Sequence, residues 1–82
     1  MKFGKRLKII RKRNKLTQLQ LGILIGFNPC SADVRIAQYE SHLRMPKQKI
    51  INKLVKVLNI SECLLLSNHI DGIINIYIDL YW

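Results

Sequence analysis

Residues 16–46 read LTQLQLGILIGFNPCSADVRIAQYESHLRMP, and this stretch decides the fold. Thr17 has the chemistry of a helix N-cap, since its hydroxyl can accept a bond from a backbone N–H of the next turn. Leu21, Leu24 and Ile25 follow with an apolar face at helical spacing. Gly22 lies inside that helix at a cost of about 1 kcal/mol relative to Ala, which suggests that another helix approaches closely there. Gly26-Phe27-Asn28-Pro29 ends the helix, because Gly readily takes the left-handed conformation at a C-terminus and Pro often follows. Ser31 is the next N-cap candidate, and Asp33 in the following turn suits the helix dipole. Ala32, Ile36, Tyr39 and Leu43 make a third apolar stripe. Val34, Gln38, Ser41 and His42 lie opposite it, with Arg35 and Ala37 on the flanks.

The neighbouring segments extend the same pattern. Phe3, Leu7, Ile10 and Asn14 recur at spacings of 4, 3 and 4, one face of a first helix whose remaining surface is basic. After a turn through His42 to Pro46, Pro46 can open a fourth helix at its first position, where no N–H is needed. Ile50, Ile51, Leu54, Val55 and Leu58 make that helix amphipathic, with Lys47, Lys49, Lys53 and Lys56 largely outside. Asn59-Ile60 closes it. Ser61-Glu62-Cys63-Leu64 reads as the capped start of a short fifth helix ending near Ser67. Ile70 to Trp82 is apolar and fits two periodicities. Ile74, Ile76, Ile78 and Leu80 alternate as in a strand, whereas Ile70, Ile74, Tyr77, Ile78 and Tyr81 share a helical face. A lone strand needs a partner edge, and nothing else in the chain reads as a strand, so helix is favoured with strand as the alternative.

Eighty-two residues make one domain at most. Apolar residues are 49% and charged residues 23% of the chain, a globular rather than a disordered composition. The net charge of +9 points to an anionic partner, most often nucleic acid and less often a membrane surface. Residues 1–16 carry eight cations and no acid, whereas residues 69–82 carry only Asp71 and Asp79. The two ends are therefore expected to do different work. Cys30 and Cys63 lie far apart and read as free thiols in a reducing cytosol. MKFGKRLKIIRKRNK has no apolar run long enough for a signal peptide, and Ile70 to Trp82 is too short to cross a bilayer. His42 and His69 are too isolated to form a metal set with the cysteines. No Ser-His-Asp set, paired carboxylates or phosphate-cradling glycine loop is visible, so neither an enzyme nor a cofactor or small-molecule substrate is expected.

The order of these pieces resembles the Cro and phage-repressor class of helix-turn-helix proteins, the XRE family. The matching residues are Leu7 to Arg11 (LKIIR), Leu16 to Gly22 (LTQLQLG), Ile36 to Glu40 (IAQYE), Arg44 to Pro46 (RMP) and Leu54 to Leu66 (LVKVLNISECLLL). No piece is specific alone, but order and spacing together make a strong signal across residues 3–67. The family usually has Ala at Gly22 and Gly at His42, and Gly26 to Arg35 is about four residues longer than its usual turn. The resemblance implies an all-α, compact five-helix domain of the lambda-repressor type over residues 1–67. Residues 68–82 would be an apolar C-terminal segment for packing or dimerisation.

It also implies a sequence-specific double-stranded DNA-binding regulator, working in the cytoplasm at the nucleoid as a homodimer. Residues 31–41 would be the recognition helix, since the major groove is about 12 Å wide and displays a distinct pattern for each base pair. Arg35 suits guanine, Gln38 adenine and Val34 a thymine methyl, with Ser41 a further base contact. Thr17 and Gln18 at one helix start, and Arg44 and Lys47 at another, are the phosphate-contact candidates. Arg11 and Glu40 are expected to form a structural ion pair between helix one and the recognition helix. Each exposed member of this set would otherwise be an ordinary solvated side chain. Two other functions fit the same features. One is an antitoxin-type DNA-binding protein with a toxin-binding tail. The other is a non-specific polyanion or membrane-surface binder using the basic first helix.

Overall fold

A computed structural model describes residues 2–66, which form five α-helices: α1 (Phe3–Arg13), α2 (Gln18–Leu24), α3 (Ala32–Glu40), α4 (Gln48–Leu58) and α5 (Glu62–Leu66). There is no strand among the described residues. The segment 68–82, and with it the choice between helix and strand, lies outside them.

Each helix buries the stripe that its spacing specifies. Phe3, Leu7 and Ile10 of α1, Leu21 of α2, Ala32, Ile36 and Tyr39 of α3, Ile51, Leu54 and Leu58 of α4, and Leu64 and Leu65 of α5 share one core with Ile25 and Phe27. A fully buried Leu or Ile contributes about 1.5–3 kcal/mol relative to an exposed one, so this shared core is what holds five short helices together. α2 packs chiefly on α3, α1 on α3 and α5, and α4 on α5. Two expected core positions are not in it. Leu24 is 55% and Leu43 77% exposed. Leu24 is the last residue of α2 and turns off its buried face, and Leu43 lies beyond the end of α3.

Helix ends follow from local chemistry. Thr17 Oγ1 accepts from the N–H of Gln20 at 3.0 Å, and Gln20 Oε1 accepts from the N–H of Thr17 at 2.8 Å, a capping box that holds α2 at its start. Ser61 Oγ accepts from the N–H of Leu64 at 3.1 Å and starts α5. Ser31 occupies the N-cap position of α3, but its hydroxyl makes no capping bond; Asp33 Oδ1 accepts from the N–H of Val34 instead, at 2.8 Å. Pro46 is not the first residue of α4. It precedes the N-cap Lys47, whose extended backbone (ψ 165°) delays the helix to Gln48.

Four helices terminate through a left-handed residue: Lys15, Gly26, His42 and Asn59. The amide of the next residue then reaches back over the helix end. Leu16 donates to Arg11 O, Phe27 to Gly22 O, Leu43 to Gln38 O and Ile60 to Val55 O, at 2.9–3.2 Å. The left-handed φ of 69° at His42 accounts for Gly being usual there in the family that the sequence resembles.

Two glycines set how closely helices meet. A Cβ on Gly22 would stand 2.6 Å from Ala32 Cβ and 2.7 Å from Ala32 O, and one on Gly4 would stand 2.6 Å from Tyr39 O. Both ends of α3 are thus packed backbone-close, against α2 at its start and α1 at its finish. Gly22→Ala should gain about 1 kcal/mol of helix propensity and lose about 1–3 kcal/mol to overpacking, because the obstructing atoms include backbone. The expected net result is a melting temperature lower by several degrees, since about 1 kcal/mol corresponds to roughly 4–8 °C in a domain of this size. Thermal unfolding followed by circular dichroism checks this, and an unchanged or raised midpoint would contradict the close-packing account.

Candidate nucleic-acid interface

α3 buries Ala32, Ile36 and Tyr39, which turns the opposite side of the helix outward. Val34 is 52% exposed there; Arg35 and Ser41 are also exposed, and Gln38 is half-buried. Ser41 Oγ donates to Gln38 O at 3.3 Å, a weak local bond at the helix end. The guanidinium of Arg35 lies 4.0 Å from the centroid of the Phe27 ring.

The α3–α4 connection closes a groove against this face. Arg35 and Gln38 line it from α3, and Arg44, Met45, Lys47 and Lys49 from the far side. Four cations therefore share one open concavity with an amide that can both donate and accept. No carboxylate lines it, so a polyanion entering it meets attraction and no opposing charge. Arg44 and Lys47, expected near the start of α4, are brought beside Arg35 and Gln38. Lys49 and Met45 joined the site only through the fold. By sequence alone Met45 belongs to a turn, and Lys49 is one of several lysines on the outside of the fourth helix.

Thr17 and Gln18 lie outside that groove. The acceptor side of the Thr17 hydroxyl is taken by its capping box. Gln18 Nε2 donates to Glu40 Oε1 at 3.1 Å, so this side chain is tied to the end of α3. Glu40 also accepts from Arg11 Nε at 2.6 Å and from Arg11 Nη2 at 3.2 Å, a bidentate pair whose side chains are 5–8% exposed. Arg11 Nη1 donates to Leu16 O at 2.8 Å. One carboxylate thereby joins α1, the start of α2 and the last residue of α3.

A second buried guanidinium escaped the sequence reading. Arg6 is fully buried, and its Nε and Nη2 donate to Leu65 O and Leu66 O at 2.8 and 3.0 Å, closing the end of α5. The signal was positional: Arg6 stands three residues from Phe3 and four from Ile10, inside the apolar stripe rather than on the basic face. The Thr17–Gln20 spacing was legible too, as the capping-box pattern. Cys30 and Cys63 are exposed. Among the described residues no group of three or more His, Cys, Asp or Glu gathers as a metal set, and no helix is long and apolar enough to cross a membrane.

The arrangement of α2 and α3, braced by α1 and followed by α4 and α5, has the fold of a helix-turn-helix regulator. No protein family model matches the chain, and no curated protein sequence does. Among solved structures, the crystal structure of the transcriptional regulator BswR is similar over 96% of this chain and 76% of BswR, with 31% identity and a TM-score of 0.81. At that identity and coverage the chain belongs to the family of that regulator.

Removing one partner from a buried, hydrogen-bonded pair costs more than the pair contributes, because the remaining charge stays buried alone. Glu40→Ala strips Arg11 of two bonds and Gln18 of one, and is expected to destabilise the fold by about 3 kcal/mol. The midpoint of thermal unfolding should fall by more than about 10 °C; a shift within a degree or two would remove Glu40 from this role.

Proposed function

We propose that the chain is a sequence-specific double-stranded DNA-binding transcriptional regulator of the Cro and phage-repressor (XRE) class, which binds operator DNA as a homodimer. It would act in the cytoplasm, at the nucleoid of a bacterium or phage-infected cell, by occlusion or recruitment at a promoter. The observation that carries this reading is the groove in which Arg35 and Gln38 of α3 meet the cations Arg44, Lys47 and Lys49. A reading helix needs base-edge chemistry on its exposed side and phosphate anchors beside it, and both lie within one concavity here. Likeness to BswR, itself a transcriptional regulator, supports the same reading.

The roles divide by chemistry. Arg35, Gln38 and Val34 contact base edges, with Ser41 at the end of the same face. Arg44 and Lys47 contact phosphate, and Thr17 and Gln18 approach a second phosphate from the start of α2. Gln18 can do so with one amide N–H while the other holds Glu40, since its Nε2 carries two donors.

Selection of duplexes from a randomised library with the full chain tests the central proposal. A single enriched motif that resists bulk competitor DNA is expected; enrichment of no motif would favour the non-specific polyanion binder and end the regulator reading. Within an enriched motif, Gln38→Ala should lose about 1–3 kcal/mol at one base position and relax the preference there. Arg44→Ala and Lys47→Ala should instead weaken all sequences alike, each reducing the slope of log K against log salt by about 1.

The dimer is assigned to residues 68–82, because one small domain offers a half-site few contacts and half-sites about 34 Å apart mirror a two-fold axis. Sedimentation of the full chain against a version ending at Ser67 checks this. The full chain should have twice the monomer mass and the shortened one the monomer mass; equal masses would reject it.

A further inference from the structure

The connection between α2 and α3 places one aromatic ring under the exposed Arg35 of α3. Phe27 is held from two directions. Its N–H donates to Gly22 O at 2.9 Å, and its ring packs 6.2 Å from the ring of Tyr39 at an interplanar angle of 49°. Only 8% of Phe27 is exposed, so the ring belongs to the core and its orientation is set there. The rest of the connection is braced by its own bonds: Asn28 Oδ1 accepts from the N–H of Cys30 at 2.9 Å, and Asn28 O from the N–H of Ser31 at 3.0 Å. Arg35, exposed on α3, sits over this fixed ring with Cζ 4.0 Å from its centroid.

A guanidinium on an aromatic face is attracted through its π surface. Its five N–H donors lie in the guanidinium plane and stay unspent, so the stack orients the fork without using the donors that would read a base. An exposed arginine otherwise samples many rotamers and loses that freedom when it binds. One already stacked has lost part of it beforehand, which raises affinity for the partner that matches its geometry.

We propose that Phe27 is a positioning residue for base reading: its ring holds Arg35 in the plane that meets a guanine edge. Guanine preference is then a joint property of residues 27 and 35. The inference rests on the function proposed above, in which α3 reads bases, and adds to it the residue that fixes the reader.

The test uses the full chain, the duplex most enriched from the random library, and duplexes in which each guanine pair is replaced in turn. The wild type should favour one guanine by about five- to a hundredfold, the range of a bidentate arginine contact. Arg35→Ala should abolish that preference. Phe27→Leu, which keeps an apolar core residue, should reduce it by about three- to tenfold while leaving the salt slope unchanged. Adding Phe27→Leu to Arg35→Ala should reduce it no further. Phe27→Leu with full guanine preference, where Arg35→Ala has lost it, would overturn the positioning role. If Arg35→Ala itself left every base preference intact, the assignment of Arg35 as a base reader would fail, and this inference with it. A measurement on the free wild-type protein needs no variant to fold. The δ protons of Arg35 should be shifted upfield by the Phe27 ring current, and its Nε–H should be as ordered as the backbone. An unshifted and mobile Arg35 would also overturn the proposal.

Discussion

The carboxylate of Glu40 is the constraint on which the geometry of α3 depends. It closes α3, and it accepts from two nitrogens of Arg11 on α1 and one of Gln18 at the start of α2. Burying that charge costs free energy that water would not have demanded, so the pair contributes little net stability compared with an apolar replacement. What it contributes is direction. A hydrogen-bonded fork is satisfied in one orientation, whereas an apolar contact tolerates sliding. The bonds to Glu40 therefore fix how α1 and the start of α2 meet the end of α3.

The two glycine contacts do the complementary work of setting distance. Gly22 admits Ala32 at the start of α3, and Gly4 admits the carbonyls of Tyr39 and Glu40 at its finish. Helices meeting backbone-close leave little room for side chains to adapt, so α3 is held at both ends by contacts that cannot stretch. The Schellman-type turns after α1, α2 and α3 complete the frame by satisfying carbonyls that would otherwise be left open. Lys15 and His42 accept a conformation that favours glycine, a local cost that the surrounding bonds over-determine.

Against that frame the outward surface has a simple division of labour. The lysines of α1 extend a long-range positive field, while the groove between α3 and the start of α4 concentrates four cations where a helix face is also exposed. Arg35 and Gln38 have little to do for stability; they are exposed or half-exposed and leave the core to Ile36 and Tyr39. Phe27 links the two layers, since its ring packs against Tyr39 in the core and carries Arg35 over it.

Periodicity and capping chemistry are local, which is why the sequence alone determined five helices, most of their buried faces and most of their ends. Leu7, Ile10, Leu21, Ile36, Leu54 and Leu58 are readable as core because each lies three or four residues from another apolar residue on one face. The pattern misplaces residues only near helix ends: Leu24 and Leu43 are exposed, and Pro46 precedes the N-cap of α4. Partners of polar side chains were a different matter. Gln18 meets Glu40 across 22 residues, and Arg6 meets Leu65 across 59. The ring under Arg35 lies in a connection whose path no spacing rule specifies. Such pairings depend on how helices are placed after they form, because a long polar side chain has many equally good partners until packing removes all but one. Tertiary structure thus decided which arginines are structural, which lysines share the groove, and which way α3 presents its face.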